Sequence, residues 1–137
     1  MNHEDTKAQR EEISHRANEL SRLIVDSAYA VHSTLGPGLL ESVYELCLCH
    51  ELEKRGVTFQ RQVSLPIVYD GITLDAGLRL DIWVDKTVVV ELKAVEHLND
   101  THKAQLLTYL KLTDCRLGLL INFNTQRIKD GIKRLAL

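Results

Sequence analysis

The sequence predicts an α/β (α+β) domain, a mixed central β-sheet flanked by helices in the order α-α-β-β-β-β-α-β-α. Three observations predict it. Apolar residues recur at helical spacing up to Gly56, alternate over Val57–Tyr69 before further strand-like runs up to Val95, and form an unbroken apolar run at Leu117–Phe123.

Residues 1–12 are polar and are expected to be disordered, leaving a single domain over residues 13–137. From Ile13 to about Ser33, the residues Ala17, Leu20, Leu23, Ile24, Ala28 and Val31 fall on one helical face. Gly36-Pro37-Gly38 breaks that helix. A second helix is expected from about Leu39 to Lys54, with Leu40, Val43, Tyr44, Cys47 and Leu48 on its apolar stripe and Gly56 as its stop. Val63, Leu65, Ile67 and Tyr69 then alternate as a strand does, and Asp70-Gly71 signals a hairpin. Ile72–Leu74, Leu78–Val84 and Thr87–Val95 continue the sheet. Helical spacing returns over His102–Leu112 with Ala104, Leu107 and Leu110. Leu117–Phe123 suits a strand buried on both faces. A short basic amphipathic helix is expected over about Thr125–Leu135.

The composition, 45% hydrophobic and 26% charged over 137 residues, is that of an ordinary globular domain. No apolar run approaches the roughly 20 residues of a membrane span, so no membrane partner is expected. Residues 1–7 have none of the features of a signal peptide. Three cysteines, Cys47, Cys49 and Cys115, are an odd number at poor disulfide spacing, which suits a reducing cytoplasm. A net charge of −2 excludes a generally basic nucleic-acid binder. The distribution differs from the sum. Residues 101–137 carry seven basic and two acidic residues, a local +5, whereas residues 21–100 carry seven basic and twelve acidic ones, a local −5. A basic C-terminal third beside an acidic site could hold a phosphate backbone; ordinary surface lysines on helices explain the same count.

The chemistry concentrates at Asp81, Glu91 and Lys93, spaced Asp-x9-Glu-x-Lys inside apolar, strand-like runs. Charged side chains seldom sit in such runs without a partner or a metal. Side chains alternate along a strand, so Glu91 and Lys93 share a face and Leu92 takes the other. Two carboxylates and an ammonium on one patch suit a hard divalent cation and a phosphate. Any one of the three, taken alone, is better explained as a solvent-facing sheet residue; the combination favours a site. The hairpin sets a condition. A two-residue turn at Asp85-Lys86 pairs Asp81 with Val90 and turns Glu91 away, so a shared site requires a three-residue loop or a bulge.

Other candidates are weighed around that core. Glu41, in Gly38-x-x-Glu41-x-x-Tyr44, is favourable near a helix N-terminus by the macrodipole alone, and could equally bring a third acid to the sheet edge. Gln105 and Tyr109 are one helical turn apart and share a face. His102 is better explained as a surface histidine than as a ligand. Cys47-x-Cys49-His50 is a poor metal site, because residues two apart on a helix diverge by about 200°. Cys47 and Cys115 are expected to be buried small hydrophobes. Trp83 and the four tyrosines could stack on bases, though core packing accounts for them as well. There is no Walker loop, Gly-x-Gly-x-x-Gly, His-Glu-x-x-His or Ser/His/Asp arrangement.

At these residues the chain resembles the GxxExxY proteins, a branch of the PD-(D/E)xK nuclease superfamily. The resemblance is carried by Gly36–Tyr44, Asp81, Val90–Ala94, His102–Leu112 and Gly118–Phe123, and spans about residues 20–135. It implies a restriction-endonuclease-like fold. It also implies a helix-borne acid at Glu41, the two motif acids at Asp81 and Glu91 with their lysine at Lys93, and the Gln-x-x-x-Tyr pair of RecB-like nucleases at Gln105 and Tyr109. Leu80 stands where the superfamily name has proline. Too few cysteines are present for the iron–sulfur cluster of some RecB-like relatives. The function implied is a metal-dependent nuclease acting on nucleic acid, DNA before RNA. Mg²⁺ or Mn²⁺ would be held by Asp81, Glu91, the Leu92 carbonyl and Glu41, directly or through water. Two alternatives compete: a catalytically inactive nucleic-acid-binding or regulatory module on the same fold, and an oligomeric structural protein. A homodimer is compatible with the nuclease, since a small domain without recognition appendages gains grip on a duplex from a second copy.

Overall fold

Ser14 opens the first helix of the computed structural model, which describes residues 13–137. The expectation for residues 1–12 lies outside the described residues. The Ser14 hydroxyl accepts from the Ala17 amide at 3.0 Å, satisfying one of the free N–H groups of helix α1, His15–Leu35. Ala17, Leu20, Ile24, Ala28 and Val31 bury one stripe of α1 at the spacing the sequence predicts. The helix ends at Gly36, whose φ of 67° favours glycine. Tyr44 clamps the turn that follows. Its hydroxyl donates to the Gly36 carbonyl at 2.7 Å and accepts from the Leu39 amide at 3.1 Å, while its ring stacks on Phe123 with centroids 4.5 Å apart.

Helix α2 runs Glu41–Lys54. Two expectations for it need correction. Leu40 is 73% exposed, because it occupies the N-cap position with extended backbone, outside the helical phase. Cys47 is only half-buried and faces a groove between α1 and α2, whereas Cys49 is the buried thiol of the pair. Burial pushes the Cys49 thiol up to about 12, which suits an inert core residue. Cys115 is buried, as expected.

Five strands follow: β1 Phe59–Tyr69, β2 Ile72–Val84, β3 Val88–Lys93, β4 Leu117–Asn122 and β5 Ile132–Ala136. They form one sheet in the order β1-β2-β3-β4-β5, with β3 and β4 parallel and the other pairs antiparallel. Helix α3, Asp100–Thr113, supplies the crossover that a parallel pair needs. Its N-terminus carries a reciprocal cap. Asn99 Oδ1 accepts from the His102 amide at 2.9 Å, and His102 Nδ1 accepts from the Asn99 amide at 3.2 Å. His102 is thus a capping residue.

The element order is α-α-β-β-β-α-β-β, and differs from the predicted one twice. Ile72–Leu74 and Leu78–Val84 belong to a single strand. The break between them is a register shift opposite Leu65–Ile67, with Gly77 at φ 74° and the Asp75 carboxylate accepting from the Gly77 amide at 3.2 Å. The expected C-terminal helix is a short 3-10 turn, Ile128–Gly131, followed by β5. Ile132 and Leu135 are three apart, which suits one face of a helix. On the strand they fall on opposite faces, and each packs on a different side of the sheet. Pairing along β4 also satisfies an edge that a helix would leave open.

The sheet separates two apolar clusters. Ile82, Val84, Val88, Val90, Leu92, Leu119 and Ile121 face α1 and α2; Val89, Leu120 and Trp83 face α3 with Leu106, Tyr109 and Leu110. Strand β4 is buried throughout, as its unbroken apolar run predicts. The Trp83 indole donates to Cys115 Sγ at 3.3 Å, which commits it to packing. No described helix is long and apolar enough to cross a membrane.

Candidate active site

The hairpin between β2 and β3 decides whether the acids can meet. Val84 pairs with Val88, Trp83 with Val89 and Ile82 with Val90, so the loop is the three residues Asp85-Lys86-Thr87. Asp85 and Lys86 both adopt positive φ, 50° and 49°, and the Thr87 amide closes the turn on the Val84 carbonyl at 2.8 Å. Continued by one step, this register sets Asp81 opposite Glu91. There the side chains replace the ladder. Glu91 Oε2 accepts from the Asp81 amide at 2.7 Å, and Asp81 Oδ2 accepts from the Leu92 amide at 2.8 Å. Each carboxylate is held by the other strand's backbone.

Glu91 is only 4% exposed. Burial, and next the nearby Asp81 charge, push its carboxyl up to about 9. Asp81 is raised as well, chiefly by burial, against the opposing bond from the Leu92 amide. The half-buried Lys93 contributes a positive charge that favours both ionised acids. Its strand neighbour Asn122, 2% exposed, braces the segment after β3. Asn122 donates to the Val95 carbonyl at 2.8 Å and accepts from the Val95 and Asn124 amides at 3.1 and 3.2 Å.

Helix α3 brings its pair to the same side. Gln105 Nε2 donates to the Tyr109 hydroxyl at 3.1 Å. Tyr109 is buried in the cluster on the α3 side of the sheet, and its hydroxyl is raised by burial and then by the charges of Glu91 and Asp81. Glu41 lies in the first turn of α2, exposed, with no side-chain hydrogen bond or ion pair to another described residue.

The buried acid of α2 is Glu45, one turn further on and 6% exposed. Arg61 pairs with its Oε2 at 2.7 Å, and Gln62 Nε2 donates to its Oε1 at 2.6 Å. Gln62 also reaches Asp81 Oδ1 at 3.4 Å, and the Glu45 charge opposes ionisation of Asp81. Sequence reasoning missed Glu45, Arg61, Gln62 and Asn122. Glu45 did carry a signal: it precedes Leu48 and Leu52 by three and seven residues, an acid on a buried stripe.

A sequence model of the PD-(D/E)XK nuclease superfamily matches residues 18–135. The chain belongs to the PD-(D/E)XK nuclease superfamily. No curated protein sequence matches significantly. The crystal structure of SSO0001 is similar at 23% identity with a TM-score of 0.52, over 87% of this chain and 58% of that one. At that identity the likeness shows the fold alone, and this chain spans little more than half of the solved one. Among the described residues, three α-helices and a five-stranded mixed sheet agree with the restriction-endonuclease-like fold of a PD-(D/E)XK domain.

PD-(D/E)XK nucleases generally use divalent metals, and the donor set here fits one. The buried Glu91 and half-buried Asp81 carboxylates repel each other, and their oxygen chemistry suits a hard cation such as Mg²⁺ or Mn²⁺. Among the described residues no three His, Cys, Asp or Glu side chains are grouped to hold a metal. The fit is therefore to a cation held by two carboxylates and completed by water, the usual habit of Mg²⁺.

Proposed function

We propose that this domain is a divalent-metal-dependent nuclease that hydrolyses phosphodiester bonds in nucleic acid, with DNA as the first substrate class. The observation that carries the proposal is the cross-strand Asp81–Glu91 pair beside Lys93, in a domain of the PD-(D/E)XK nuclease superfamily. The finer assignment to the GxxExxY branch rests on Gly38-x-x-Glu41-x-x-Tyr44 and the motifs that follow it.

Asp81 and Glu91, with the Leu92 carbonyl, would hold Mg²⁺ or Mn²⁺, and Glu41 would reach the shell through water. When bound, the cation supplies Lewis-acid polarisation of the phosphate and acidification of a water. Lys93 shares the strand face of Glu91. Its ammonium is suited to orient the attacking water and to stabilise the charge that grows on the phosphate oxygens. The Gln105 amide and the Tyr109 hydroxyl lie on the α3 side, where they can orient Lys93 or a phosphate oxygen. The backbone amides of Asp81 and Leu92 fix the two carboxylates before substrate arrives, so little reorganisation is left for the reacting state.

The test is cleavage of single-stranded, duplex and branched DNA and of RNA in Mg²⁺ or Mn²⁺, with Lys93→Ala as control. Metal-dependent cleavage lost in the variant supports the proposal. Binding without cleavage by the wild-type protein would instead identify an inactive binding module.

A further inference from the structure

Gln62 stands in β1 with φ 51°, a left-handed conformation that disfavours any residue but glycine, asparagine or aspartate. The register on either side, Arg61 with Ile82 and Val63 with Leu80, sets it opposite Asp81. A row therefore crosses three strands: Gln62, Asp81, Glu91. The pleat is disturbed at this row, since Leu80 and Trp83, three residues apart, both join the α3-side cluster. Strain of this kind persists only where the surroundings enforce it, and it gathers at functional sites.

The side chain of Gln62 lies between two carboxylates, so its NH₂ end must face them. One bond is short, 2.6 Å to Glu45 Oε1, and one is long, 3.4 Å to Asp81 Oδ1. Glu45 is itself anchored by Arg61 through two bonds, at 2.7 and 3.2 Å. Asp81 Oδ2 is already taken by the Leu92 amide, so Oδ1 is the oxygen left for a ligand. The long bond touches that oxygen and the short one does not.

We propose that Gln62 is a positioning residue for Asp81: anchored on the Arg61–Glu45 pair, its amide holds Asp81 Oδ1 in the orientation that receives a divalent cation. The proposal rests on the metal-dependent reading above. Oδ1 has two lone pairs, so it can keep the amide on one and present the other to a cation, while the short bond to Glu45 keeps the amide in place. The left-handed backbone swings the Gln62 side chain out of the strand's ordinary alternation and onto Glu45 and Asp81.

Gln62→Gly and Gln62→Asn separate backbone from side chain. Glycine takes the positive φ freely, and asparagine tolerates it with an amide one methylene short. Folding is checked by circular dichroism, and Mg²⁺ and Mn²⁺ affinity is measured by calorimetry without nucleic acid. Both variants are expected to bind the metal about 10–100-fold more weakly than wild type, the usual cost of removing a group that orients a ligand. In the wild-type protein the Gln62 side-chain amide resonance is expected to shift as Mg²⁺ is added. Unchanged affinity in a folded variant, or a stationary Gln62 resonance while the wild type binds metal, overturns the proposal alone. A wild type that binds neither metal overturns the metal-dependent reading, and this inference with it.

Discussion

Glu91→Gln should make the metal-free protein more stable. An acid raised from 4.5 to about 9 on folding holds its proton in the native state long after the unfolded chain has released it. Between those values the native state binds more protons, so stability falls as pH rises, by about 1.4 kcal/mol per unit. At pH 7 the loss relative to strongly acid solution is about 3 kcal/mol, set by the distance from 4.5 so long as the folded value lies above 7. The Asp81 shift has the same sign and adds to the trend. Glutamine removes the Glu91 part while its carbonyl can still accept from the Asp81 amide. With about 3 °C per kcal/mol for a domain of this size, Tm in EDTA at pH 7 should rise by roughly 5–10 °C. The assay is a pair of melting curves across pH 5–9. The wild type should lose stability steadily as pH rises, and the variant much less. Mg²⁺ at 100 times its Kd should return about 2.7 kcal/mol to the wild type. The variant should gain far less. A variant that melts at or below the wild type in EDTA, with parallel pH profiles, would refute the view that this fold holds a destabilised carboxyl.

Three further outcomes follow from the geometry. Lys93→Ala should lower cleavage by about 10²–10³-fold, the scale expected for removing one charge-stabilising group, and single-turnover rates on the best substrate would measure it. Tyr44→Phe removes a hydroxyl bonded to Gly36 and Leu39 and to neither Asp81 nor Glu91. Chemical denaturation should show a loss of about 1–2 kcal/mol, with cleavage unaltered; a large loss of cleavage in a folded variant would give Tyr44 a chemical role. Asn122→Ala leaves the Val95 amide, the Val95 carbonyl and the Asn124 amide without their buried partner. A loss of about 2–3 kcal/mol is expected, with faster hydrogen exchange at Val95 and Asn124, and unchanged exchange there would contradict the bracing role.

The elements with strong periodicity were legible. Helix α1 and the apolar β4 lie where spacing puts them, because each buries residues whose pattern is its own; β1 also forms where its alternation puts it, though only Leu65 of its alternating residues is buried. The C-terminal segment was not, since Ile132 and Leu135 suit either a helix face or a strand that packs on both sides. What decides is the open edge of β4, a tertiary fact.

The hairpin was more legible than turn length suggests. With a two-residue turn, Thr87, Val89 and Glu91 would share the face of Ile82 and Val84, burying Glu91 in the larger apolar cluster. With three residues in the loop, that face becomes Ile82, Val84, Val88, Val90 and Leu92, all apolar. Burial thus selects the longer loop even though Asp85 and Lys86 must both take positive φ to make it. The same cost argument separates Glu45 from Glu41. An acid on a buried stripe must find partners, and only the chain's return through Arg61 and Gln62 supplies them. Those partners come from a strand that follows α2 by several residues, so spacing within the helix could mark Glu45 as anomalous but could not name what satisfies it. Gln62 was invisible for a stricter reason: nothing in a polar residue of an edge strand announces a left-handed backbone, and its role exists only once Glu45 and Asp81 stand on either side of it.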